Sequence, residues 1–319
     1  MIQKLASIFK RASHGGHKPA AIAALHLQAD SLKLVVLHTN PYRIEKVETL
    51  LLSPDKSLVQ SVVQLAGDLN SNVPLCLVLS AERYQLIQLD KPAVPEAEMM
   101  QALPWLAREL TSVAVDDMLL DYIDLPEQAS QQTPRINVVV TAKSSLLELC
   151  RELQRRKVQV VNIQPEEWLP RNLLPVQNGA VMLVVHQPGQ ELMLQIIRQG
   201  VLYFSRRLRG FNRIDQYAIA ELSQGMLDNL LLEVQRSLDY FEGQLRQAPV
   251  KEILFQIASN ELPAIVKYFA DNGFGQVRAL DLAALMPGSN NAEQKDYWLT
   301  VAGALELHQP VVAVAGAVL

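Results

Sequence analysis

Apolar residues in the first fifty positions come in short runs that predict a small antiparallel sheet. Residues 20–27 and 31–37 are mostly apolar and are separated by a polar turn, and residues 44–52 follow a turn at Asn40 and Pro41. Apolar runs of this length bounded by turn residues are typical of strands, and two of them joined by a short turn form a hairpin. The pattern therefore predicts three consecutive strands.

Helical periodicity follows and alternates with further apolar strands. The apolar stripe of residues 224–247 predicts the clearest helix of the chain. Residues 95–110 predict another helix, whose inward face is expected to carry Met99, Leu103, Leu106 and Leu110. Because strands and helices alternate along the chain, the sequence predicts an α/β protein.

A duplicated hairpin is the most informative pattern in the sequence. Residues 21–26 and 181–186 are apolar runs that both end in histidine, and the offset from His26 to His186 is 160 positions. The same offset aligns the next strand without a gap, pairing Leu32, Leu34, Val36 and Leu37 with Leu192, Leu194, Ile196 and Ile197. A repeated supersecondary unit predicts two homologous halves.

Composition narrows the class of protein. The 319 residues have a formal net charge of −4, which gives no general reason to expect nucleic-acid binding. Cys76 and Cys150 lie in apolar patterns and are expected to be reduced core residues. No segment is apolar over the ~18 residues that a membrane-spanning helix needs, so we expect no transmembrane segment.

A basic run interrupts the strand pattern of the second half at Arg206, Arg207 and Arg209. One interpretation is a surface for an acidic partner. The other is a solvated strand edge, where charge prevents pairing with another chain. The sequence leaves both interpretations open.

Five stretches carry a resemblance to a known family. The most specific is residues 233–241, which read Glu-Val-Gln-Arg-Ser-Leu-Asp-Tyr-Phe. The others are residues 30–37, 94–123, 161–166 and 297–305. In this order they resemble the PilM-like type IV pilus assembly proteins of the actin-like ATPase superfamily, and within that family its MSHA pilus branch.

The resemblance implies a fold and a division of the chain. The fold is a two-lobed, actin-like α/β fold of duplicated RNase H-like units with an inserted βαββ subdomain. The expected parts are an N-terminal segment and linker at 1–19, a first lobe at 20–72, the inserted subdomain at 73–157, a return to the first lobe at 158–179, a second lobe at 180–294, and a closing helix with an apolar tail at 295–319.

The same resemblance implies a nucleotide cleft whose chemistry is mostly lost. Phosphate turns need small residues and carboxylates that position Mg²⁺, whereas here His26 and His186 end the two strands and Pro188 removes a backbone donor. We expect the two histidines to face one another across the gap. We expect no catalytic residue, no metal site and no hydrolysis, while ATP with Mg²⁺ stays open as a ligand. The candidate residues of this degenerate cleft are Gln28, Asp30, Ser31, Lys33, His186 and Gly189.

The resemblance also implies a partner and a location. PilM-like proteins dock the N-terminal cytoplasmic tail of a PilN-like inner-membrane protein, in a groove that parts of residues 73–89 and 95–125 would wall here. The chain is thus expected in the cytoplasm, peripheral to the inner membrane, with other pilus assembly components as further partners. Two alternatives stay open: an ATP-binding conformational switch in the same machine, and the cytoplasmic domain of a GspL-type secretion protein, which predicts a membrane-spanning helix after the domain.

Overall fold

A computed structural model describes residues 19–126 and 133–308, and three sheets organise them. The first sheet has the order β3-β2-β1-β4-β8. Its antiparallel part is β1 (Ala21–Leu27), β2 (Ser31–Thr39) and β3 (Tyr42–Leu51). On the other side of β1, β4 (Pro74–Leu79) pairs in parallel with β1, and β8 (Gln159–Pro165) pairs in parallel with β4.

The second sheet repeats the first in order and direction. It is built from β9 (Val181–His186), β10 (Leu192–Arg198), β11 (Val201–Leu208), β12 (Glu252–Ile257) and β13 (Val277–Ala279), in the order β11-β10-β9-β12-β13. The pairing register shifts between Val36 and Leu37 in one sheet and between Ile196 and Ile197 in the other. These positions are related by the same offset as the two histidines. The predicted duplication is therefore present, and it includes a register shift at the equivalent position of each sheet.

The inserted sheet contains β5 (Gln85–Asp90), β6 (Met118–Asp124) and β7 (Arg135–Ala142), and helix α2 (Glu96–Ala107) lies between β5 and β6 in the chain. This is the expected βαββ order, but the insertion is shorter than the predicted residues 73–157. Strand β4 pairs with β1 and β8 in the first sheet, and helix α3 (Lys143–Arg155) packs against β8 and the first-sheet helix α1 (Leu58–Ala66). Only residues 85–142 belong to the inserted sheet and its connections.

Helix α2 also presents a different face from the predicted one. Met99 and Leu103 are fully buried as expected, but Leu106 and Leu110 are exposed and the small Ala107 is buried in their place. Helix α2 ends at Ala107, so Leu110 lies beyond it, and the helix gives Met99, Leu103 and Ala107 to the core of the inserted sheet. The prediction was therefore wrong for the last two leucines.

The second sheet is covered on one face by α5 (Met226–Asp239) and α6 (Leu262–Asp271), with the short helix α4 (Ile219–Leu222) before α5. The predicted helix at 224–247 is thus divided, because residues Tyr240–Gln244 form a π-helical turn. The opposite face of β9 contributes Val181, Leu183 and Val185 to the core of the first sheet. One continuous core therefore joins the two halves.

The chain returns to the first sheet earlier than predicted. Short helix α7 (Leu282–Leu285) already packs in the core of the first sheet. Helix α8 (Asn291–Leu305) begins four residues before the predicted residue 295, and the side chain of Asn290 caps it. Helix α8 contacts β1, β2 and β4. Close contact is possible because Gly303 has no side chain, and a Cβ there would lie 2.5 Å from Cγ2 of Val78. The expected apolar tail, residues 311–319 at the end of the predicted part 295–319, and residues 1–18 of the predicted segment 1–19 lie outside the described residues.

Within the described ranges, every helix is too short or too polar to cross a lipid bilayer.

Candidate functional site

The site lies where the first strands of the two sheets end, and it is organised around Glu166. This residue directly follows β8, in the short 3₁₀ turn Glu166–Trp168, and is 2% exposed. Its carboxylate lies 3.1 Å from Nε2 of His26, the residue near the end of β1. It also accepts a hydrogen bond of 3.1 Å from the backbone N–H of Ala81, which follows β4. Three strands of the first sheet thus converge on one buried carboxylate.

Arg207 brings the second sheet to the same carboxylate. Its side chain donates from Nη2 to Oε1 of Glu166 at 3.1 Å and from Nε to Oε2 of Glu167 at 3.4 Å. Ser205, two positions earlier on β11, donates to the same Glu167 carboxylate, because alternate residues of a strand share a face. Gln195 donates to the backbone carbonyl of Glu167. Both glutamates are therefore held by groups of the opposite sheet.

These contacts decide the charge of Glu166. Burial by itself would raise the pKa of the Glu166 carboxyl, but the hydrogen bond from His26 and the charges of His26 and Arg207 outweigh burial and lower that pKa. The carboxyl is thus ionised at neutral pH, and its charge is balanced within the protein. A buried carboxylate is stable only while its guanidinium partner Arg207 remains in place.

The turns after the two strands meet across the cleft. Gln28 donates from Nε2 to Oε1 of Gln187 at 3.3 Å, and Gln187 lies 3.5 Å from Glu166. On the first turn, Ser31 Oγ lies 3.0 Å from both the Gln28 side-chain oxygen and a carboxylate oxygen of Asp30. Three of the predicted cleft residues, Gln28, Asp30 and Ser31, therefore lie together on this turn.

The other predicted residues do not join this cluster. Lys33 donates to the backbone carbonyl of Asp296 on α8 at 2.8 Å and lies over the ring of Tyr297. Burial lowers the pKa of the Lys33 ammonium, and the charges of Asp296 and Asp30 oppose that effect. Gly189 has a φ of 77° in an exposed turn, which suits its lack of a side chain.

The two histidines have separate partners. His186 is 1% exposed, and its nearest charged group is Asp215, 3.9 Å from Nε2. Burial lowers the pKa of the His186 imidazole, although Asp215 works in the opposite direction. His26 instead pairs with Glu166. The contact between the two turns is made by Gln28, two positions after His26, and Gln187, one position after His186, rather than by the two histidines as expected.

Sequence reasoning missed the residues on which the cleft depends. In the sequence, Glu166 belongs to a stretch that resembles a family motif and Arg207 belongs to a basic run, and neither is predicted to be a cleft residue. Two signals were available: adjacent glutamates directly after an apolar strand, and the alternation of Ser205 with Arg207 on one strand face. Their pairing spans 41 positions for Arg207 and Glu166, so only the three-dimensional fold reveals it.

A second feature is an exposed apolar surface on helix α2 and the turn that follows it. It is made by Trp105, Leu106 and Leu110 and is called here the α2 apolar surface. Their side chains are 61%, 45% and 55% exposed. Scattered exposed apolar residues are normal, but three neighbours that include a tryptophan are typical of a protein-binding surface. All three lie in the segment 95–125 that the sequence assigns to the groove wall.

Comparisons with known proteins show the fold. No family model and no curated protein matches the chain. Among solved structures, a PilM-PilN type IV pilus biogenesis complex is similar, with a TM-score of 0.64 and 15% identity over 91% of this chain and 99% of that chain. The cytoplasmic domain of EpsL, an inner-membrane component of the type II secretion system of Vibrio cholerae, gives 0.51 and 12% over 91% and 96%.

The class of protein follows from the duplicated sheets together with these similarities. The chain has an actin-like α/β fold, and its structural neighbours include pilus and secretion components. A Bacteroides thetaiotaomicron protein with the actin-like ATPase fold and unknown function is also similar, with a TM-score of 0.49 and 10% identity over 88% of this chain and 96% of that chain.

Proposed function

We propose that this chain is a PilM-like scaffold of a type IV pilus assembly machine, and specifically a protein of the MshI kind from an MSHA-type pilus. In this role it docks the N-terminal cytoplasmic tail of a PilN-like inner-membrane protein. The observation that carries the proposal is the similarity to a PilM-PilN complex over 91% of this chain and 99% of that one. The location that fits this role is the cytoplasm, peripheral to the inner membrane.

The cleft supports docking rather than catalysis. Glu166, Glu167, Arg207 and His26 are already engaged with one another, and Gln28 bonds to Gln187 between the two turns. A nucleotide would have to displace these contacts and leave buried charges without partners, which is costly. We therefore propose that the chain is not an enzyme and that its halves act as one rigid support.

The α2 apolar surface supports a docking site on the inserted sheet. A short tail that adds an apolar side chain to this surface would bury Trp105 and Leu106, which now face solvent. Aromatic residues at such sites commonly contribute most of the binding free energy. We therefore propose that this surface forms one wall of the groove for the PilN-like tail.

The test is calorimetric titration with a synthetic peptide that copies the cytoplasmic tail of the proposed PilN-like partner. We expect the peptide to bind the full chain, and we expect Trp105→Ser and Leu106→Ser each to weaken binding by about tenfold or more. Leu51→Ser is the matched control, because Leu51 is 73% exposed on the first sheet, away from the inserted sheet. Equal loss in all three variants, or no binding to the wild type, would overturn the proposal.

An ATP-binding conformational switch in the same machine is the alternative function. It is favoured by the actin-like fold and by Ser31 and Asp30, which remain together on the first turn. Thermal denaturation with ATP and Mg²⁺ separates the two functions, because a ligand at a hundred times its Kd stabilises by about 2.7 kcal/mol. We expect no stabilisation at millimolar nucleotide, and a clear increase in Tm would favour the switch.

A further inference from the structure

The basic run at the end of β11 lines a cavity that shares Arg207 with the cleft. The cavity has a volume of about 880 Å³ and lies between the end of β11 and helix α5. Arg206 and Arg209 line it from the strand side, and Arg236 lines it from the helix. We call this feature the β11–α5 groove.

Four arginines, Arg207 included, and two glutamates line the groove, in a chain whose formal net charge is −4. Glu233 is shared between Arg206, at 2.7 Å, and Arg236, at 2.8 Å, so one carboxylate faces two guanidinium groups. Glu221 also lines the groove, but it accepts a hydrogen bond from the backbone of Ala218. Arg209 is 95% exposed, with its nearest carboxylate 3.7 Å away. Arg206 and Arg236 therefore share one carboxylate, and the Arg209 guanidinium lies almost wholly in solvent.

Strand β11 is also the end strand of the second sheet. Within residues 19–126 and 133–308, no strand pairs with its outer edge, so alternate backbone N–H and C=O groups point away from β10. Apolar side chains lie beside this edge: Phe204 packs on the ring of Tyr240 at 5.5 Å, and Leu232, which lines the groove, is 55% exposed. An unpaired edge beside a basic, partly apolar groove is suited to adding a strand.

We propose that the β11–α5 groove binds an extended acidic segment of a partner protein, which adds to the outer edge of β11. Backbone pairing would hold the segment, while its carboxylates would face Arg206, Arg209 and Arg236 and an apolar side chain would contact Leu232. Charge complementarity selects an acidic peptide over a basic or neutral one. The inference is independent of the proposed docking on the α2 apolar surface.

The test uses the full chain and a fluorescent synthetic peptide of alternating glutamate and leucine residues, with anisotropy as the readout. We expect binding that weakens with salt, and we expect Arg209→Glu and Arg236→Glu each to lower affinity at least about fivefold. The matched control is Arg43→Glu, because Arg43 is an exposed arginine on β3, the equivalent end strand of the first sheet.

Two further probes separate strand addition from simple attraction of charge. The same peptide with methylated backbone nitrogens keeps its carboxylates but cannot pair with β11, so we expect it to bind much more weakly. Inorganic pyrophosphate tests for a small-anion site. The proposal would be overturned if the peptide does not bind, or if Arg43→Glu lowers its affinity as much as the groove variants do. It would also be overturned if the methylated peptide binds with full affinity, or if pyrophosphate binds more tightly than the peptide. Each of these results is independent of the result for the PilN-like tail.

Discussion

Arg207 of the second sheet donates to Glu166, the residue that follows the last strand of the first sheet, with 3.1 Å between Nη2 and Oε1. Glu166 also lies 3.1 Å from His26 of β1. Because its partners come from both sheets, this buried carboxylate links the two halves at the cleft between the two turns. The relative position of the halves is thus fixed by charge as well as by the shared apolar core.

The first prediction concerns the removal of Arg207. Arg207→Ala leaves the Glu166 and Glu167 carboxylates buried without their cationic partner, so we expect the free energy of unfolding to fall by about 2–4 kcal/mol. Urea denaturation measures this change. Arg209→Ala is the control, because Arg209 is 95% exposed and we expect an effect below about 0.5 kcal/mol. Similar losses in the two variants would contradict the buried ion pair.

The second prediction tests which face of α2 is buried. Leu103 is fully buried, whereas Leu106, less than one turn later, is 45% exposed. We expect Leu103→Ala to cost about 2–4 kcal/mol, because it leaves a cavity in the core of the inserted sheet. Leu106→Ala should cost less than about 1 kcal/mol. Thermal or urea denaturation distinguishes the two, and similar costs at both positions would instead support the face predicted from sequence, in which both leucines are buried.

The difference between those two leucines shows how far the sequence could predict this molecule. Periodicity and the repeated histidine-ended strands correctly predict the helix around α2 and the duplicated sheets, because both depend on local patterns. Which leucines are buried depends on where the helix ends and on how it packs against the inserted sheet, and Leu106 carries no local sign of either. In the same way, an apolar run such as β4 is compatible with either neighbouring sheet, so the boundary of the insertion was misplaced.

The candidate site was predictable only in part for a related reason. Gln28, Asp30 and Ser31 lie within four positions on one turn, so their clustering follows from the hairpin. Arg207 reaches Glu166 because the fold brings β11 of the second sheet to the turn after β8, and no local pattern encodes that proximity. The sequence therefore indicated an altered cleft but did not identify the ion pair within it.

The third prediction concerns the close packing of α8. Alanine at position 303 places a Cβ 2.5 Å from Cγ2 of Val78 and 3.3 Å from Cβ of Ala24. The neighbouring strands must move, because valine has a stiff side chain, and we expect Gly303→Ala to destabilise by about 1–2 kcal/mol despite the higher helix propensity of alanine. Gly243→Ala is the control, since a Cβ there meets nothing within 4 Å. Urea denaturation of both variants checks the contrast, which equal stability would contradict.

The last prediction concerns pH and the buried His186. Burial lowers the pKa of this imidazole below its ordinary value of 6.5, so the unfolded chain takes up a proton at a higher pH than the folded protein does. The stabilisation due to neutral His186 is therefore complete above pH 6.5 and is lost as pH falls through the folded-state pKa. We expect the wild type to lose more stability than His186→Gln between about pH 8 and about pH 5 in urea denaturation. That range stays above the region where Glu166 becomes protonated. Equal losses in the two proteins would show that His186 takes up its proton without a cost to folding, and its burial would then have no electrostatic consequence.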